Sequence, residues 1–129
     1  MTTTNNITRL LDSRKVAYQA FELPAEKLGA LETARLLNVP PEMVFKTIVI
    51  TRNPGKPILA VVPGSHEADL KAVAKVLKEK KVSLPTQAEA ENLTGLQAGG
   101  ISPLALLNKG FVILLDESAR LHAEIHISG

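Results

Sequence analysis

Two β-branched runs, Met43–Thr51 and Ile58–Val62, lie on either side of Asn53-Pro54-Gly55-Lys56. Proline presets φ and glycine and asparagine admit left-handed dihedrals, so this tetrapeptide predicts a turn between two antiparallel strands. Everything else must pack around that hairpin. Ile7, Leu10 and Leu11 have i, i+3, i+4 spacing and predict a short amphipathic helix over Asn6–Lys15. Leu31–Leu37 has helical spacing too and stops before Pro40-Pro41, where a helix cannot easily continue. Glu67–Lys80 sets Leu70, Val73, Ala74 and Leu77 on one face and lysines on the other, with Ser65 as the expected cap. Thr86-x-x-Glu89 has capping-box spacing for a helix to about Leu93. Val16–Leu23, Val82–Leu84, Phe111–Leu115 and Leu121–Ile127 read as further strands, the last two joined by Asp116–Arg120. Helices that do not alternate regularly with strands predict an α+β fold, with flanking helices around a mixed, mainly antiparallel, barrel-like sheet.

A chain of 129 residues, 45% hydrophobic, can bury one core and is short for two, so a single domain over 1–129 is expected. No apolar run approaches the ~20 residues of a membrane span, and MTTTNN lacks the basic start of a signal peptide; a cytoplasmic protein with no membrane partner is expected. The absence of cysteine removes disulfides and thiolate chemistry, leaving oxygen, nitrogen and backbone groups. Tyr18, Phe21, Phe45 and Phe111 are the only aromatics, too few for a base-stacking platform. The net charge is +2, with lysines gathered at Lys71, Lys75, Lys78, Lys80 and Lys81. Such a cluster suits phosphate, although a solvated helix face is the plainer account.

Period two places Val44, Lys46, Ile48 and Ile50 on one face of the first strand and Phe45, Thr47 and Val49 on the other. Lys46 thus interrupts an apolar face. It must reach a cavity, a counter-charge or a ligand, unless it snorkels to solvent or guards an exposed edge. Gly99-Gly100-Ile101-Ser102 offers consecutive backbone N–H groups to an anion or developing oxyanion, or forms an ordinary turn. It matches neither a dinucleotide fingerprint nor a P-loop. His122 and His126 would share a helix face, but on a strand they stand roughly 13 Å apart at ~3.3 Å per residue, too far for one metal ion. A solvent-facing row is the default there, His66 reads as a neighbour of a helix cap, and no metal or other cofactor is expected. Ser102 lies in no Gly-x-Ser-x-Gly elbow, which argues against a serine triad.

Phe45-Lys46-Thr47, the segment Thr94–Leu104 (TGLQAGGISPL) and the closing Ile127-Ser128-Gly129 together resemble, in order and spacing, the YbaK/EbsC family of aminoacyl-tRNA deacylases. The similarity spans essentially the whole chain. The family includes free-standing proteins that clear mischarged tRNA(Pro) and is similar to the editing domain of bacterial-type prolyl-tRNA synthetases. The resemblance implies a mixed fold around a barrel-like sheet, with Lys46 as the pocket lysine needed for activity and Thr47 beside it. It also implies that Gly99, Gly100, Ile101, Ser102 and Pro103 form the loop that contacts the aminoacyl-adenosine end, and that Ser128 stands at the pocket.

The implied function is trans-editing of a small, wrongly attached amino acid, first Cys-tRNA(Pro), with Ala-tRNA(Pro) second. A non-catalytic module that docks on tRNA or a synthetase, and a small hydrolase acting on unrelated esters, are the rival readings. The implied partners are the aminoacylated 3′ end of tRNA and prolyl-tRNA synthetase. Family members commonly continue past Ser-Gly with another glycine, a basic residue and a further strand, so an editing domain cut short at its C-terminus is expected here. The family's pocket aromatic aligns with neither Tyr18 nor Phe21 in a unique way.

Overall fold

The computed structural model describes residues 6–19, 21, 29–52, 55–96, 101–107 and 109–127. In chain order these form α1 (Asn6–Ser13), α2 (Ala30–Leu37), β1 (Phe45–Ile50), β2 (Ile58–Pro63), α3 (Leu70–Leu77), α4 (Gln87–Thr94) and β3 (Val112–Leu115), with short 3₁₀ turns between. β1 and β2 form the expected antiparallel pair, from Phe45 opposite Pro63 to Ile50 opposite Ile58. β3 runs parallel to β2, with Ile58 opposite Val112. The order β1-β2-β3 makes an open, mixed, three-stranded sheet among the described residues, so the α+β class stands and the barrel-like sheet does not.

β2 is buried from Ile58 to Pro63, which is why it reads as a continuous apolar run rather than an alternating one. One core lies on the α3 side, where Ile50, Ile58, Ala60, Val73 and Val82 pack together with Ile48, Leu70 and Leu77. The other combines Val49, Leu59, Ile101 and Leu106 with Phe111 and Ile113.

The helices follow their local signals with one shift. Thr86 Oγ1 accepts from Glu89 N–H at 3.1 Å and Glu89 Oε1 accepts from Thr86 N–H at 3.3 Å, completing the predicted capping box of α4. Asp69, and not Ser65, caps α3, its carboxylate accepting from Ala72 N–H at 3.1 Å. An ionised acceptor at a helix N-terminus is the stronger cap, and it draws the start of α3 to Leu70.

Two predicted strands do not form among the described residues. After α1, Lys15 turns at φ 56° and Val16 N–H bonds back to Leu11 O at 2.9 Å, so the described part of Val16–Leu23 joins no sheet. At the other end, Asp116 Oδ2 accepts from Ser118 N–H at 3.0 Å and starts a 3₁₀ turn over Glu117–Leu121. This local side-chain bond competes with strand pairing. Only His126 reaches the sheet, as a parallel bridge to Val44, and the Val82–Leu84 strand reduces to a bridge between Ser83 and Thr51. The Asn53-Pro54 half of the hairpin turn lies outside the described residues.

Gly64, just past β2, is a close-approach point. Its N–H bonds Val44 O at 2.7 Å, and a methyl group there would sit 2.5 Å from Ala30 Cβ and 3.1 Å from Val44 O. Gly64→Ala must push α2 or β1 aside and is expected to cost about 1–3 kcal/mol. A lowered urea midpoint at unchanged slope would register this; an unchanged midpoint would mean that α2 yields freely.

Candidate functional site

Pairing Lys46 with Val62 fixes which way the lysine faces. It shares the α3 side of the sheet with Ile48 and Ile50, where Lys46, Ile48, Glu67, Ala68 and Leu84 line a cavity of about 260 Å³. The half-buried ammonium makes one long hydrogen bond, 3.4 Å to Gly64 O, its only bond among the described residues. An ammonium carries three donors, so this site leaves capacity for a further acceptor. The apolar strand face thus carries its lysine into a cavity.

Ile101, Ser102 and Pro103 are buried, and Ile101 packs with Val49 and Leu59 on the opposite face of the sheet, the face that also bears Thr47. Lys46 and Ile101 therefore approach β1 from opposite sides. Ser102 is 3% exposed, and its Oγ has no hydrogen-bond partner among the described residues. A buried hydroxyl left in this state costs about 1–3 kcal/mol.

The two faces meet at the free edge of β1. Phe45 N–H donates to His126 O at 2.8 Å and Thr51 N–H donates to Ser83 O at 2.8 Å, so odd-numbered residues direct their backbone groups away from β2. Between these bridges, the N–H and C=O of Thr47 and Val49 point outward with no neighbouring strand among the described residues. A substrate that touched both Lys46 and the loop would pass over this edge.

The bridge at His126 brings the last described residues to the end of β1 that bears Lys46. The Phe21 and His126 rings lie there with centroids 5.8 Å apart at 50°. Gly99, Gly100 and Ser128 fall outside the described residues. His66 Nδ1 lies 3.1 Å from Ser65 Oγ. Hydrogen bonding by Ser118 holds the Asp116 carboxyl below its ordinary range, with nearby His66 adding a weaker pull. No cluster of three or more histidine or acidic side chains is arranged to hold a metal among the described residues.

Glu67, Leu84 and Gly64 escaped the sequence reading. Glu67 has the spacing of a helix that begins only at Leu70, and the approach of Leu84 to Lys46 depends on the chain returning after α3 to the bridge at Ser83. Gly64 follows an apolar strand, where a glycine reads as ordinary punctuation.

Residues 25–128 match the family model of the aminoacyl-tRNA editing domain, and the chain belongs to that family. Its relatives include EbsC of Enterococcus faecalis (strain ATCC 700802 / V583), assigned as a Cys-tRNA(Pro)/Cys-tRNA(Cys) deacylase. The two are 34% identical over 125 residues, which cover 95% of this chain and 76% of that protein. The fold is shared with the crystal structure of hypothetical protein APE2540, at TM-score 0.86 and 21% identity, covering 97% of this chain and 82% of that one. It is shared also with a protein assigned as a trans-editing enzyme for prolyl tRNA synthetase, at TM-score 0.73 and 23% identity, covering 96% and 80% of the two chains.

The unpartnered hydroxyl leads to a measurable split. Ser102→Ala removes a desolvated group and is expected to leave stability unchanged or raise it by about 1 kcal/mol. A destabilised variant in urea unfolding would reveal a partner for Ser102 in the folded chain.

Proposed function

We propose that this protein is a trans-editing aminoacyl-tRNA deacylase whose preferred substrate is Cys-tRNA(Pro). The observation that carries the reading is Lys46, a half-buried ammonium at a small cavity with a single long hydrogen bond of 3.4 Å. Membership of the editing-domain family supports the reaction class, and the deacylase assignment of EbsC supports the choice of substrate. The cavity of about 260 Å³ is open on one side, which leaves Lys46 accessible to a substrate.

An aminoacyl ester is already activated, so the protein need supply only orientation, stabilisation of the oxyanion and exclusion of the wrong side chains. In this mechanism Lys46 holds the ester or a ribose hydroxyl. Amides of the Gly99–Ser102 loop receive the charge that develops on the carbonyl oxygen. Thr47, Pro103 and Ser128 complete the contacts, with Thr47 offering its outward backbone groups. With cysteine, the substrate's own thiol attacks the carbonyl carbon, the ester bond breaks, and the proton passes to the departing ribose oxygen. No protein nucleophile is required, consistent with a chain that has no cysteine. Alanine would need an attacking water instead. One methylene is worth only about 1–3 kcal/mol, so exclusion by size separates small amino acids weakly.

The unit that carries the reaction is the single editing domain over 1–129. Prolyl-tRNA synthetase is the natural partner in such a cycle because it releases the mischarged tRNA, and a fold shared with a protein assigned to that enzyme supports the reading. A cytoplasmic location is the proposed compartment, supported by a tRNA substrate.

Single-turnover deacylation of Cys-, Ala- and Pro-tRNA(Pro) tests the proposal. Cys-tRNA(Pro) should be cleared first and Pro-tRNA(Pro) spared. Lys46→Ala should slow clearance by about 10²–10³-fold, the usual cost of losing one transition-state donor, while the thermal melt stays cooperative. Full activity in that variant would remove Lys46 from the mechanism; no clearance of any species by the folded parent chain would sink the deacylase reading.

A further inference from the structure

The strongest charged feature outside the cavity is the stretch from Lys71 to Lys81. It holds five lysines, at 71, 75, 78, 80 and 81, and one carboxylate, Glu79. All five lysines are exposed. None makes an ion pair among the described residues, whereas Glu79 is committed to Arg52, whose Nη1 donates to Glu79 Oε1 at 3.2 Å. Asp69 is occupied by the cap of α3. The positive charge therefore faces solvent without local neutralisation.

Folding alone does not favour this arrangement. Lys71 follows the Asp69 cap in the first turn of α3, a turn that carries no carboxylate of its own. A cation there is placed at the positive end of the dipole. Lys71 and Lys75 are also like charges at i, i+4, a spacing that destabilises a helix by a few tenths of a kcal/mol. Lys78 closes the helix with φ 57°, a left-handed position where glycine or asparagine is favoured. Lys71, by charge at the N-terminal end, and Lys78, by its left-handed dihedral, sit where helix physics prefers other residues, whereas Lys75 in the last turn suits the dipole.

Their place relative to the cavity suggests what they meet. Glu67 and Ala68, two of its lining residues, immediately precede α3, and a third, Leu84, closely follows Lys81. α3 and its lysines are thus the arm between two walls of the Lys46 cavity. Along the helix, Lys71 and Lys75 stand about 6 Å apart at ~1.5 Å per residue, forming a row rather than a point.

We infer that this lysine row binds the phosphate backbone of the tRNA acceptor stem while the aminoacylated 3′ end occupies the cavity. The inference rests on aminoacyl-tRNA being the substrate and adds a binding surface to the chemical site. The row supplies affinity without sequence selection, since phosphate contacts position a nucleic acid and do not read it.

The test is fluorescence anisotropy with uncharged tRNA(Pro) across a salt series, on the parent chain and on the triple variant Lys71→Gln, Lys75→Gln, Lys78→Gln. Each lost phosphate contact should flatten the slope of log K against log salt by about 0.7–0.9. The variant should therefore bind at least about 10-fold more weakly at low salt, with a slope shallower by about 2. Its melting temperature should match or exceed that of the parent, because like-charge repulsion has been removed. The corresponding triple arginine variant should bind as the parent does. The same affinity and slope in the glutamine variant, or no tRNA binding by the parent at low salt, would overturn the inference. Uncharged tRNA is not turned over, so this result is independent of whether deacylation is observed. Clearance of a 3′-cysteinyl adenosine without a stem, unchanged in the glutamine variant, tests the chemical site separately.

Discussion

The antiparallel ladder between β1 and β2 fixes which face of the sheet Lys46 and Thr47 occupy. Lys46 lies opposite Val62, Thr47 opposite Val61 and Val49 opposite Leu59. Side chains alternate strictly along a strand, so a slip of one residue would exchange the two faces of β1. Lys46 would then enter the core of Val49, Leu59 and Ile101, and Ile48 and Ile50 would lose their packing against α3. Burial of Ile50, Ile58 and Leu59 to 0% exposure makes that slip expensive. The packing that stabilises the sheet is also what directs the lysine toward its cavity.

Polar groups in this neighbourhood are only partly satisfied. Lys46 has one long bond, Ser102 has none among the described residues, and Thr47 and Val49 direct backbone groups at an open edge. A chain selected for stability alone would pair or remove such groups, because each costs free energy when shielded from water. Under the proposed function, acceptors on the substrate complete bonds that the described residues leave open. Away from β1, the capping box of α4 and the Asp69 cap of α3 are complete, while Ser118 Oγ is a second buried hydroxyl with no partner among the described residues.

Much of this organisation was readable in advance. The hairpin was visible because β-branched runs around Pro and Gly have few alternatives, and α3 and α4 because their spacing and caps act over only three or four residues. Lys46 stood out as a charge on an apolar face, and the combination of Phe45-Lys46-Thr47 with the glycine loop pointed to the family that the comparisons establish. Less accessible was the fate of short apolar runs. Leu121–Ile127 and the described part of Val16–Leu23 have strand composition, but they follow, respectively, the 3₁₀ turn begun by the Asp116–Ser118 bond and a left-handed turn at Lys15, and only His126 pairs with the sheet. The barrel-like expectation failed with them, since the predicted additional strands contribute only single bridges at His126 and Ser83.

What the sequence determined by itself was local: where helices begin, which face of each is apolar, which strand carries a lysine and how charge is distributed along α3. Tertiary structure decided which of these meet. Parallel pairing of β3 with β2, the return of His126 to Val44, the packing of Ala30 onto Gly64 and the arrival of Glu67 and Leu84 beside Lys46 all join residues distant in the chain. Such contacts depend on the closure of long loops and the shape of a shared core, terms to which no window of neighbouring residues responds.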